Sequence, residues 1–232
     1  MRNKKVLVVG GASGIGLAIA KQAAEEGARV VIASRSIKRL EAAATSLSYP
    51  ITTEIVDATS DESVTSFFSR IGEFDHMAVT IKPNLPSGEF AANEIDLVRE
   101  AFDAKFWGQY RLAKTAIRYI KPTGSIVLTS GIAAHRSYVG YSIVSAMNAA
   151  TEALAKAIAL ESAPIRVNVV CPGFVEAVTS QVNRLKYAQG VGAKFPLERL
   201  GRTEEVASAY LHLFKNSYAS GSCLVVDGAT SC

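Results

Sequence analysis

Charge is scarce in this chain and nowhere bunched. Of 232 residues, 20% are charged, with 25 Lys and Arg against 21 Asp and Glu, and no Lys/Arg block stands out from the net +4. Neither nucleic acid nor a membrane surface is therefore expected as a partner. Cysteine is nearly missing. The three present, Cys171, Cys223 and Cys232, form an odd set without metal-ligand spacing. They read as free thiols in a reducing cytoplasm, with no disulfide framework and no metal expected. No apolar run reaches spanning length, and Met1-Arg2-Asn3-Lys4-Lys5 leads straight into an apolar segment. Neither a transmembrane helix nor a signal peptide is expected. Linkers and internal repeats are also missing, so residues 1–232 read as one domain, and 49% hydrophobic content supplies a substantial core.

What is present begins at Val6-Leu7-Val8-Val9, a run suited to a buried parallel strand. Gly10-Gly11-Ala12-Ser13-Gly14-Ile15-Gly16 follows, and Leu17 to Ala24 continue with helical periodicity. Glycines 10, 14 and 16 allow a sharp turn, close approach of a phosphate, and tight packing of helix on sheet. The free N–H groups at that helix start then form an anion site. A glycine pattern alone is weak; between a strand and a helix it becomes a dinucleotide fingerprint.

The remaining chain alternates strand and helix. Apolar runs at 28–33, 51–56, 74–80, 125–130, 165–170 and 223–226 read as strands. Helices are expected near residue 60, over about 93–120, over about 142–162 and over 204–214, with residues 175–192 as a mobile cover. This alternation predicts an α/β fold, a doubly wound parallel sheet with helices on both faces and ligands at the C-terminal edge of the strands. At the end of the second strand an acidic residue would repel a 2′-phosphate. Ser34 and Arg35 stand there instead, with Lys38 and Arg39 one turn on, a combination suited to NADP(H). Asp57, closing the third strand, is placed to accept from the adenine amino group.

Over essentially its full length the chain resembles the short-chain dehydrogenase/reductase family. The glycine-rich run carries the resemblance, with Val9 where threonine is usual. Further landmarks are Asp57-Ala58, Arg166-Val167-Asn168, Pro172-Gly173, Leu200-Gly201-Arg202 and Val226-Asp227-Gly228. The resemblance implies that Ser13 and Ile15 contact the cofactor phosphates, that Thr80 lines the cofactor within Val79-Thr80-Ile81-Lys82, and that Pro172-Gly173 bracket the nicotinamide. The family's next threonine falls on Ala177, with Thr179 close by.

The catalytic positions depart from the family pattern. A gapless register through Glu152 to Glu161 puts Val144 at the tyrosine position and Asn148 at the lysine position. Gly131, preceded by Ser130, takes the serine position, and Lys105 takes the asparagine position. Two substitutes are open: Lys105, as a proton donor projecting into the space the lost tyrosine leaves, and Tyr141, one turn ahead of Val144. His135 reads as a surface residue. Trp107, Phe174, Tyr138, Tyr141 and Leu85 are candidate pocket lining. Two functions fit: an NADP(H)-dependent oxidoreductase acting on a carbonyl or imine of a small organic substrate, or an NADP(H)-binding protein without net redox activity, as a sensor or a cyclisation or elimination catalyst. The small-residue helix over 142–162 and the resemblance both imply a homodimer or homotetramer.

Overall fold

The computed structural model describes residues 1–82, 88–176 and 195–232. Seven strands run β1 Lys5–Val9, β2 Arg29–Ser34, β3 Ile51–Ile55, β4 Phe74–Val79, β5 Ile120–Thr129, β6 Arg166–Pro172 and β7 Cys223–Val226. They form one parallel sheet in the order β3-β2-β1-β4-β5-β6-β7. The helices are α1 Gly14–Glu25, α2 Ile37–Ser46, α3 Asp61–Ile71, α4 Ile95–Phe102, α5 Gly108–Ala116, α6 Ser142–Glu161 and α7 Thr203–Lys215.

Period-two alternation sends each central strand into two separate cores. Leu7 and Val9 of β1 pack with Phe67, Phe68 and Leu112 beneath α3 and α5. Val6 and Val8 pack with Ile19, Tyr210 and Phe214 beneath α1 and α7. Both faces are thus covered, and the uninterrupted apolar strands of the sequence follow from that. Strand order reverses between β1 and β4, and a crevice opens there at the C-terminal edge. Thr80 ties the two strand ends together, its N–H donating to Val9 O at 2.8 Å and its hydroxyl to the same oxygen at 3.1 Å.

The helix expected over about 93–120 is interrupted. α4 and α5 are joined by a π turn, Asp103–Trp107, and α5 ends at Ala116, so β5 starts at Ile120, earlier than the apolar run beginning at Ser125. The Pro122-Thr123-Gly124 turn persists as a register shift, since Phe74 pairs with Ile120 and His76 with Ser125. The expected loop at 81–88 and the expected cover at 175–192 lie largely outside the described residues. Arg166 and Asn168 have structural duties at the opposite edge. The buried Arg166 guanidinium donates to Leu213 O at 2.7 Å, Phe214 O at 2.9 Å and Ala219 O at 3.1 Å, closing the C-terminus of α7. Among the described residues, one helix, α6, is long and apolar enough to cross a membrane. Here its inner face packs on β6.

Candidate cofactor crevice and active site

The turn between β1 and α1 is built for close approach. A Cβ at Gly16 would lie 2.3 Å from Gly10 O, and one at Gly10 would lie 2.6 Å from Thr80 Oγ1. At Gly14, with φ +53°, a Cβ would meet nothing within 4 Å, so this glycine faces open space. The N-termini of α2 and α3 are capped by Ser36 and Ser60, which accept from Arg39 N and Ser63 N. The start of α1 differs: Ser13, its N-cap, makes no capping hydrogen bond, and no acidic side chain occupies the first turn. Unspent N–H groups, a positive dipole end and space beside Gly14 fit a pyrophosphate. Ile15 follows within the first turn of α1.

Basic groups border this turn. Arg39 Nη2 donates to Ser13 Oγ at 3.0 Å, so Arg39 joins the phosphate loop to α2, a connection the sequence reading did not single out. Arg35 is exposed beside Ser34, whose hydroxyl accepts from Ser36 N at 3.3 Å. Asp57 Oδ1 accepts from Thr59 N at 3.0 Å and Thr59 Oγ1 at 2.8 Å. The Thr59 backbone bond chiefly holds this carboxyl below the usual range, with Arg35 and Arg111 adding to the effect. Ala58 is buried behind it, its carbonyl accepting from Arg111 Nη1 at 3.4 Å. At the far side of the crevice Pro172 ends β6, and Gly173 N donates to Val226 O at 2.9 Å.

Deeper in the crevice the π turn directs Lys105 inward. A π turn carries an extra residue and changes which side chains face a neighbour. Lys105 is 7% exposed. Its ammonium donates to Ser130 O at 3.2 Å and, through a shorter bond, to Asn148 Oδ1. Asn148 in turn donates to Gly131 O at 3.2 Å. Lys105 and Asn148, expected at the family's asparagine and lysine positions, thus meet in one network. Burial pushes the Lys105 amine down to about 8, with Cys171 opposing the shift. An ammonium has three N–H donors, so one remains beyond these two bonds.

Ser130, next to the residue expected at the family's serine position, has its hydroxyl engaged, donating to Glu152 Oε1 at 2.7 Å. That carboxylate also meets His135 Nε2 at 3.1 Å; His135 is exposed, as its loop position suggested, and still joins this network. Tyr141 is the N-cap of α6 and stands before its first turn. Its ring meets Tyr138 edge-on at 6.0 Å; Tyr138 contacts Phe174 at 5.6 Å, and Phe174 stacks on Phe195 at 5.1 Å. Among the described residues, the Tyr141 hydroxyl takes no part in the Lys105 network, and the buried Tyr138 hydroxyl has no hydrogen-bond partner. Tyr138 also lines a cleft of ≈ 400 Å³ with Phe90, Val139, Ser142 and Ser145. Trp107 lies elsewhere, against Phe106 and Tyr110. Leu85, Ala177 and Thr179 lie outside the described residues.

Comparison with known proteins agrees with this geometry. A family model described as enoyl-(acyl carrier protein) reductase matches residues 10–230. The short-chain dehydrogenase/reductase ATR9 of Stachybotrys chlorohalonatus (strain IBT 40285) is 32% identical over 248 aligned positions, covering 98% of this chain and 97% of that one. Carbonyl reductase family member 4 of Xenopus laevis is 30% identical, covering 97% of both chains. Among solved structures, a small-chain dehydrogenase in complex with NADPH superposes with a TM-score of 0.85 at 32% identity over 99% of both chains. The MalC reductase/Diels-Alderase of Malbranchea aurantiaca superposes with a TM-score of 0.91 at 25% identity, over 99% of this chain and 96% of that one. The chain belongs to the short-chain dehydrogenase/reductase family of oxidoreductases.

Proposed function

We propose that this protein is an NADP(H)-dependent reductase of a carbonyl or imine on a small organic substrate, with Lys105 as proton donor. The observation that carries the reading is the buried Lys105 ammonium, held between Ser130 O and Asn148 Oδ1; the family resemblance expects catalytic groups at positions 105 and 148. Ser34, Arg35 and Arg39 border the ribose end of the crevice with no acidic residue at the end of β2, which favours a 2′-phosphate. The small-chain dehydrogenase that binds NADPH supports the same cofactor.

Bound NADPH supplies the hydride, and the protein supplies orientation and a proton. The third N–H of Lys105 polarises the substrate oxygen or nitrogen and transfers its proton there as negative charge develops. Ser130 O and Asn148 Oδ1 hold the amine in place through the transfer, and water returns the proton afterwards. Tyr141 and Tyr138 border the substrate and exclude solvent. We also propose that the exposed small-residue face of α6, which carries Ala146, Ala149, Ala153 and Ala157, pairs with a second copy of the chain.

The decisive experiment follows NADPH absorbance against a panel of carbonyl and imine substrates, beside fluorescence titrations with NADPH and NADH. Lys105→Ala is expected to lower turnover by about 10²–10⁴, and Tyr141→Phe by less, with NADPH affinity nearly intact in both. Unchanged turnover in both variants discards these roles, and equal affinity for NADH discards the cofactor preference. A second reading, cofactor binding without net redox, draws on the departures expected at the family's catalytic positions and on the similar fold of a protein named both reductase and Diels-Alderase. Binding without NADPH consumption across the whole panel would favour it.

A further inference from the structure

Four side chains that the proposed reduction does not use converge behind Ser130. His135 comes from the turn after β5, Glu152 from α6, Cys171 from β6 and Cys223 from β7. One donor atom from each lies within 4.8 Å of all the others. His135 Nε2 is 3.1 Å from Glu152 Oε1 and 3.9 Å from Cys223 Sγ. One ring nitrogen thus faces a carboxylate oxygen and a sulfur together, and a single N–H can be directed at only one of them. Bonds of about 2.0–2.3 Å in a tetrahedral zinc centre set donor separations of roughly 3.3–3.8 Å. The observed spacings bracket that range, so small side-chain adjustments complete the geometry.

We propose that His135, Glu152, Cys171 and Cys223 form a four-ligand site for a zinc ion. Two thiolates, an imidazole nitrogen and a carboxylate are a donor set that selects a borderline-soft, tetrahedral cation over magnesium or calcium. Ser130 donates to Glu152 Oε1 at 2.7 Å and orients the carboxylate, the supporting shell that metal ligands ordinarily have. With both thiols and the carboxyl ionised, the filled site carries one net negative charge, and the Lys105 ammonium, already coupled electrostatically to Cys171, is the neighbouring cation. Cys171 is fully buried, whereas the His135 side chain is 37% exposed and marks the side from which an ion enters. Four protein ligands leave no position for water, so the role is structural. The ion pins the edge strand β7 and the β5–α6 turn to α6, directly behind the backbone that holds Lys105. The site stands whether or not the reductase reading holds.

The full chain, purified in reductant and incubated with zinc chloride, tests this. Metal analysis after desalting should find one zinc per chain, and the thermal midpoint should rise with zinc. Competition against a chromophoric chelator should show His135→Ala and Cys223→Ser each weakening binding by about 100-fold, while Cys232→Ser, altering the exposed terminal thiol, changes nothing. Cobalt(II) in place of zinc should give a thiolate-to-metal charge-transfer band that Cys223→Ser diminishes, a readout independent of stability. Zinc below about a tenth of an equivalent in the parent overturns the proposal, as does unchanged affinity in both ligand variants. Loss of two thiols to a Cys171–Cys223 disulfide under reductant, with no zinc bound, overturns it equally.

Discussion

Two buried titratable residues set the pH behaviour. Lys105 acts as an acid only while protonated, and burial brings its amine to about 8. Reductive turnover under saturating NADPH should therefore hold steady through neutrality and fall as pH rises past about 8; a profile flat into the alkaline range would remove Lys105 from the proton step. His76 is 5% exposed, stacks on Phe214 at 5.1 Å, and is pushed down to about 4 mainly by burial. The folded protein therefore keeps it neutral, whereas the unfolded chain protonates it near its ordinary 6.5. Between those values the unfolded state binds more protons, so stability is present above the window and is lost as pH falls through it. Urea unfolding should show His76 contributing a loss of about 2 kcal/mol between about pH 7 and about pH 5, an increment that His76→Phe abolishes. An identical acid slope in the variant would assign the effect to other groups.

At the scale of elements, the β1–α1 turn works because backbone replaces side chain. Gly16→Ala places a methyl 2.3 Å from Gly10 O, a backbone atom that cannot swing aside. The helix must then shift away from the sheet, at a cost of about 1–3 kcal/mol, and the unspent N–H groups at Ser13 move with it. A lowered thermal midpoint together with much weaker NADPH binding is expected; unchanged binding would remove α1 as the phosphate site. The strands and this turn were legible in the sequence because apolar runs and glycine spacing are local signals. The π turn was not. Periodicity extends smoothly through Ile95, Val98, Phe102 and Phe106, and one added residue hardly perturbs it, yet that residue decides where Lys105 points. Nor does the pattern separate Tyr141 as an N-cap from Tyr141 as a helix residue, since its backbone still accepts the Ser145 N–H at 2.9 Å.

For the whole molecule, the outer face of α6 is the surface to watch. Leu160 is 84% exposed near its C-terminus, and the small residues above it would allow two helices to approach closely. Sedimentation should report a dimer or larger assembly for the parent and a shift toward monomer for Ala153→Arg, with NADPH binding retained. An unchanged sedimentation coefficient would place the contact elsewhere.

By itself, the sequence determined the doubly wound sheet, the glycine-rich turn between β1 and α1 and the family, because each is written in short-range periodicity or at fixed offsets from a landmark. Tertiary structure alone decided which side chains meet. Lys105 reaches an asparagine 43 residues away, and His135 reaches Cys223 across 88 residues. Such encounters depend on strand order and helix packing. A parallel sheet with crossover helices gathers the ends of distant strands at one edge, so residues that share no local pattern become neighbours there.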